Sequence, residues 1–246
     1  MMTNGPSAKR IISVIIGIIV ATVPFHIFAR QIASQSSFNA LLLSSLSGIV
    51  SAFILASIVE WSVHRYAMHR GGKIPLFRIA TELHHNAHHW VHYKPDNYIN
   101  PEPINRPSVL APDKTVLCQS TFARIVTTFS HAAFYTFLTL PILILAWVIT
   151  INIMFTVSMV LTAAVFIFLF IRVHDAVHHP GLSWLERFNW FWFLDHHHYI
   201  HHIDNNANTN FLLPLTDFLM GTLRMDLTEE EQAKWPSYTD ARKIPN

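Results

Sequence analysis

From Ile125 to Ile171 the chain runs 47 residues without an Asp, Glu, Lys or Arg. As one helix that stretch would be about 70 Å long at 1.5 Å per residue, more than twice the roughly 30 Å hydrocarbon core of a bilayer. It must fold back on itself, and Thr150 to Asn152 is the natural turn. Helices are therefore predicted over 129–149 and 153–172, with Pro141 kinking the first. Two further apolar runs, 11–29 and 38–59, each suit one crossing of about 20 residues. Composition agrees, since 13% of the 246 residues are charged and 51% hydrophobic, against about 25% charged in a soluble domain. Lys9 and Arg10 imitate the start of a signal peptide, but no small-residue cleavage site closes the run after them, so a retained helix is expected. The predicted fold class is an all-α integral membrane protein. It forms a single domain over 1–246, with four transmembrane helices and a helical cap from 60–128 and 173–246.

Orientation follows from the basic residues, which accumulate on cytoplasmic flanks. Sixteen of the seventeen Lys and Arg fall on one side of this four-helix plan, and only Arg30 lies in a hairpin at the other end. Both termini and the cap are expected to be cytoplasmic, in a bacterial inner membrane rather than the endoplasmic reticulum. A net charge of +2 is too balanced for a nucleic-acid partner. Cys118 is alone and closes no intrachain disulfide. The stretch 94–114 holds Pro95, Pro101, Pro103, Pro107 and Pro112 and reads as an extended loop. Trp184 to Leu194, WLERFNWFWFL, reads either as a helix in the headgroup region or as a buried aromatic helix.

Histidine is the anomaly of the composition. Fifteen of seventeen lie in two windows, 64–92 and 174–202, one opening as the second span ends and the other as the fourth ends. An even number of crossings separates them, so they share a face. Four groups stand out: His64 and His69; His85, His88 and His89; His174 and His178; His198, His201 and His202. On a helix, residues three and four apart share a face, so the last three groups can each converge on a metal. The five-residue step from His64 to His69 fits an α-helix less well and suggests a place where the span loosens. Imidazole suits zinc, copper, iron and nickel. Ten imidazoles exceed one tetrahedral site and match two metals with four or five ligands each. Within the adjacent runs the register is open by one residue, which makes His84, His179 and His197 additional candidates, with His196 also ambiguous. His26 and His131 lie inside apolar spans and read as core or pocket residues, and His92 as interfacial. Glu60, Glu82, Asp175, Asp195 and Asp204 are the nearest carboxylates. Because ligating histidines donate their second N–H to a carboxylate or carbonyl, supporting roles are expected for Asp175, Asp195 and Asp204. Beyond the metal ligands no catalytic residue is expected.

These groups, in this order and with a long apolar hairpin between the second and third, resemble the fatty acid hydroxylase and sterol desaturase superfamily over about residues 60 to 222. EWSVHRYAMH (Glu60 to His69) looks like its first box, ELHHNAHH (Glu82 to His89) its second, HDAVHH (His174 to His179) its third and HHHYIHH (His196 to His202) its fourth. Asp217 with Gly221 and Thr222 looks like its closing segment. The resemblance implies a non-haem enzyme with two iron ions and dioxygen as co-substrate, acting on a fatty acyl, sterol or related lipid in the membrane. Zinc is a substitute metal in overproduced protein. No fused cytochrome b5 domain is present, since His179, Pro180 and Gly181 echo its haem motif only in part. The electron donor is therefore expected to be a separate protein of ferredoxin or cytochrome b5 type. The chemistry expected is hydroxylation of an aliphatic C–H bond, with desaturation or carotenoid hydroxylation at the same site as alternatives. The non-enzymatic alternative is a metal transporter, which would place its ligands near the bilayer midplane.

Overall fold

A computed structural model of the chain describes residues 8–70, 73–81, 84, 88, 89, 98, 99, 106–108, 111–116, 140–178 and 183–242. The expected span over 129–149 falls outside these residues up to 139, as do Glu82, His85, His92, His131 and His179. The helices are α1 (Ala8–Gln31), α2 (Phe38–Ser62), α3 (Pro75–Thr81), α4 (Leu140–Thr150), α5 (Ile153–His178), α6 (Asn189–Ile203), α7 (Leu215–Met220), α8 (Glu229–Lys234) and α9 (Tyr238–Ala241). One departure from the all-α expectation lies in the proline-rich stretch, where β1 (Arg106–Ser108) pairs antiparallel with β2 (Ala111–Val116). A two-stranded ribbon tolerates Pro107 because neither strand has to donate on both edges.

Among the described residues, two helical stretches are long and apolar enough to cross a membrane: Phe38–Met68, which is α2 prolonged by a π turn, and α5. Only 17% of the most apolar window of α5 is buried, unlike a helix at the centre of a soluble core. Both outrun the expected limits of 59 and 172, and the overrun carries histidines. α2 and α5 pack along each other through a seam of small residues on α2, with Ser44, Ser47, Gly48, Ser51 and Ala52 all buried. A Cβ at Gly48 would lie 2.3 Å from the Phe155 carbonyl oxygen, so only glycine allows the backbones this close, as in membrane helix pairs generally.

The turn expected at Thr150 to Asn152 is where α4 ends and α5 begins. Ile151 takes φ 49°, a left-handed conformation that costs a β-branched residue energy. Asn152 holds the turn in place. Its Nδ2 donates to the Ala29 carbonyl at 2.7 Å and to Ser44 Oγ at 3.0 Å, and its Oδ1 accepts the Phe155 N–H at 3.1 Å. The end of α1, the start of α2 and the α4–α5 turn thus meet at one polar point, with Ala29, Ala52, Ala146, Phe155 and Met159 packed about it.

At the other end α7 docks on α2 through a buried polar knot. Ser57 Oγ donates to the Leu213 carbonyl at 3.0 Å and accepts the Thr216 N–H at 3.1 Å, while Asn210 Nδ2 donates to the Ser57 carbonyl at 2.7 Å. Glu60 accepts the Phe211 N–H at 2.7 Å. Asp217 accepts from the Asn210 N–H and from Thr222 Oγ1, each at 2.5 Å. Gly221 ends α7 at φ 68°, the left-handed stop that glycine adopts without steric cost, and that reversal brings Thr222 back to Asp217. The knot fixes residues 207–210 in a buried path, turned at Asn208 by a φ of 53°, beside the ends of α2 and α6.

Candidate metal centre

The first histidine pair explains its own spacing. Val63–Met68 is a π-helical turn closed by the His69 N–H on the His64 carbonyl at 3.1 Å, an i to i+5 bond. The wider turn places residues five apart on one face, and the two rings stack with centroids 5.0 Å apart. Such insertions cluster at functional sites. α5 and α6 remain α-helical, so His174 with His178, and His198 with His201 and His202, share faces at the ordinary spacings.

From these elements the imidazoles converge into two sets. His64, His69, His84, His89 and His201 form the first, with one ring nitrogen from each within 4.8 Å of every other; His88, His174, His178 and His198 form the second on the same terms. His202 joins the second through His198, Nε2 to Nε2 at 3.0 Å, and a third group, His88, His89 and His202, forms the seam between the sets. Nine of the ten candidates read from the sequence are brought together here. The tenth, His85, lies outside the described residues, and its neighbour His84 occupies a place in the first set. Nε2 atoms face each other at 2.8 Å for His64 and His84, 3.1 Å for His69 and His201, and 3.2 Å for His178 and His198. Two nitrogens bound at about 2.0–2.1 Å to one ion sit about 3.0 Å apart when they subtend 90° and about 3.4 Å at the tetrahedral angle. These separations are those of two donors on one ion, so each set could hold a metal ion.

Two of the Nδ1 atoms behind the first set face backbone oxygen. His64 Nδ1–H donates to the Thr209 carbonyl at 2.7 Å and His201 Nδ1–H to the Ala207 carbonyl at 2.8 Å. Each bond fixes the tautomer and turns the Nε2 lone pair toward the set. Arg65, 1% exposed, donates from Nη1 to the Asn206 carbonyl at 2.8 Å, and Arg70 Nη2 donates to Asn206 Oδ1. His197, an additional candidate, belongs to this backing rather than to either set, because its Nε2–H donates to the Asn210 carbonyl at 2.7 Å.

The second set is backed from elsewhere. His178 Nδ1–H donates to the Tyr98 carbonyl at 2.9 Å. The Tyr98 hydroxyl donates to Asp195 Oδ1 at 2.7 Å, the Tyr238 hydroxyl to Asp195 Oδ2 at 2.9 Å, and Arg242 pairs with that same oxygen at 3.1 Å. Arg242 also donates to the Val177 carbonyl at 2.8 Å, bracing α5 against α6. Of the three carboxylates expected to support ligands, Asp195 does so through Tyr98 and not by touching a histidine. Asp204, just past the end of α6, pairs with Arg224 at 3.0 Å and accepts the Asn206 N–H at 3.0 Å. Asp175 is half-buried on α5 and belongs to neither set. His26 also stays apart, its Nδ1 on the Thr22 carbonyl and its ring 5.0 Å from Phe155. His196 is half-buried against Tyr238. Tyr98 carried no signal in the sequence.

Burial, and then the neighbouring imidazoles, push His84, His89, His198 and His202 well below the usual imidazole value; burial and His64 do the same to His201. The rings are neutral, the form that binds metal. Burial raises Asp195 to about 6 against the opposing pull of Arg242.

Exposed aromatics border the site. Trp184, Phe188, Trp190, Trp192 and Phe193 face outward while Leu185, Phe191 and Leu194 are buried, so the segment has two faces and is not the buried aromatic helix of the second expectation. The same helix, α6, carries the aromatics at its start and the histidines at its end. No family model matches the chain, no curated protein matches it, and no solved structure matches it.

Proposed function

We propose that this chain is an integral membrane oxygenase that uses two iron ions and dioxygen to hydroxylate an aliphatic C–H bond of a membrane lipid. The observation that carries the reading is the convergence of imidazoles from four separated groups into two adjoining sets of nitrogen donors. Iron bound there would supply dioxygen activation and hydrogen removal from an unactivated carbon, chemistry closed to redox-inert zinc. The chain's own part is to hold neutral imidazoles in place and to bring the lipid to them. An all-imidazole set leaves the metal charge unneutralised, which favours a bound oxide or hydroxide. Two electrons would come from a separate donor protein.

Four crossings with both termini and the site on the cytoplasmic face accord with the distribution of Lys and Arg. From Ile153 to His174 the rise of α5 is about 32 Å at 1.5 Å per residue, close to the bilayer core of roughly 30 Å, so the histidines would lie at the membrane surface. The outward aromatics of Trp184 to Phe193 suit the headgroup layer. A lipid could keep its head there while its tail enters the protein. Surface placement also weighs against metal transport, which needs midplane ligands. The resemblance to the fatty acid hydroxylase and sterol desaturase superfamily points the same way.

The test is reconstitution with iron, a reducing system and labelled dioxygen. Label in a lipid hydroxyl is the expected result, an unlabelled alkene means desaturation, and a hydroxyl labelled only from water rejects oxygenase chemistry. Tags near Lys73 and Trp184 are expected on the side of the termini, and elemental analysis is expected to find two metals per chain.

A further inference from the structure

We propose that Tyr98, Asp195 and Tyr238 form a relay that carries an oxidising equivalent away from the second histidine set to the protein surface. The relay takes its oxidant from the oxygenase reading above, but its wiring is independent of that reading. The Tyr98 ring lies 5.0 Å from His178 and 5.5 Å from His202, centroid to centroid, and its backbone carbonyl holds His178. Tyr98 is fully buried and Tyr238 half-buried. Their hydroxyls donate to the two different oxygens of one buried carboxylate, Asp195. Tyr199 stands between them, 5.1 Å from Tyr98 and 5.8 Å from Tyr238.

A phenol is oxidised readily only when its proton leaves with the electron, so the hydrogen-bond acceptor decides which tyrosine can serve. Tyr98 and Tyr238 face a carboxylate, which can take a proton. Tyr199 donates to the Pro236 carbonyl at 2.6 Å, which cannot, so Tyr199 bridges the rings without holding the charge. Arg242 pairs with Asp195 Oδ2 at 3.1 Å, and both phenols donate to that carboxylate.

The steps balance. Tyr98 gives one electron to the oxidised metal centre, which is reduced by one, and its O–H proton passes to Asp195 Oδ1, leaving a neutral phenoxyl. Tyr238 then gives that phenoxyl an electron and passes its own proton to Asp195 Oδ2, while the first proton returns from Oδ1 to Tyr98. A one-electron reductant in solution, such as ascorbate or a thiol, restores Tyr238, which takes its proton back from Asp195. One electron has moved from solvent to the centre. Without lipid, an oxidant formed among buried imidazoles would otherwise attack the imidazoles themselves.

Two measurements test this. In the first, a photogenerated ruthenium(III) complex too large to enter the protein oxidises it without any iron, and electron spin resonance with ring-deuterated tyrosine follows the radical. A buried phenoxyl is expected in the wild type. It should be lost in Tyr98→Phe and in Asp195→Asn, which still accepts a hydrogen bond but not a proton, and largely lost in Tyr238→Phe. A buried radical of undiminished yield in Tyr238→Phe or Asp195→Asn, or none in the wild type, overturns the relay. In the second, iron-loaded protein is exposed to dioxygen and reductant without lipid, and mass spectrometry counts oxygen added to histidine and tryptophan. Tyr98→Phe, which keeps the carbonyl that holds His178 and is checked for unchanged metal content, should show more added oxygen than the wild type; equal addition counts against the proposal. If the labelled-dioxygen experiment fails while the first measurement succeeds, the oxygenase reading falls and the wiring stands.

Discussion

The set containing His64, His69 and His201 is backed by main-chain carbonyls of residues 207 and 209 on one continuous segment, whereas the set containing His174, His178 and His198 is backed by the Tyr98 carbonyl, whose residue is held in turn by side chains gathered on Asp195 with Tyr238 and Arg242. The first backing is rigid because the buried path of 207–210 is stitched to α2 and α7 through Asp217, Asn210 and Ser57. The second depends on a few long side chains arriving from residues far apart in sequence. An ion held in one set would thus rest on a different support from an ion held in the other, and a fault in one support need not empty the other site. What the two sets share is α6, which supplies His201 to one and His198 to the other, and the seam of His88, His89 and His202.

Ligand removal separates the sets most forcefully. His201→Ala should lose the first metal and His198→Ala the second, each leaving one metal per chain, with turnover down more than the roughly 10–100-fold typical of outer partners alone. Loss of both metals from either variant would show that the sets are one unit. Next in size is Asp217→Ala, which strands the Asn210 N–H and the Thr222 hydroxyl in a buried site at about 1–3 kcal/mol for each unsatisfied group. Thermal unfolding in detergent should fall, and chelator should strip the first metal before the second. Arg242→Ala is expected to reverse that order, weakening the second metal about 10–100-fold and sparing the first, with Arg242→Lys recovering part of the loss.

The smallest effect should come from Glu231, whose carboxylate Arg224 and its hydrogen bonds hold down at about 2, below its ordinary 4.5. Because the folded value is the lower one, the pair stabilises above 4.5, and that contribution fades as pH falls through the window toward 2. Glu231→Gln should cost no more than about 1 kcal/mol at neutral pH, flatten stability in that acid range, and leave both metals bound.

Much of this centre was legible because side-chain type and spacing encode it. The His198, His201, His202 run announces a helix face, and the charge-free stretch broken at Thr150 to Asn152 announces a turn. The place of His84 in the first set was not legible, since adjacent residues differ by a rotation that only the surrounding packing sets. Nor were the partners of His64 and His201, because a main-chain carbonyl looks the same at Ala207 as anywhere else. Tyr98 stood in a proline-rich stretch with no pattern to mark it, and Asp217 could be matched to a motif without disclosing that it anchors the path behind the first set.

The π turn at Val63–Met68 has a consequence for how the first pair relates to the third. HxxxxH on a wide turn and HxxxH on a narrow one perform the same task, the first at His64 and His69, the second at His174 and His178. One extra residue is the whole difference. Deleting Ala67 would let the segment relax to ordinary pitch and convert the first spacing into the other, and because the wide turn already absorbs the extra residue, the two imidazoles and the chain beyond them would keep their facing. The wide turn thus takes up one residue at the histidine pair without changing the direction in which the rest of the cap leaves the membrane helix.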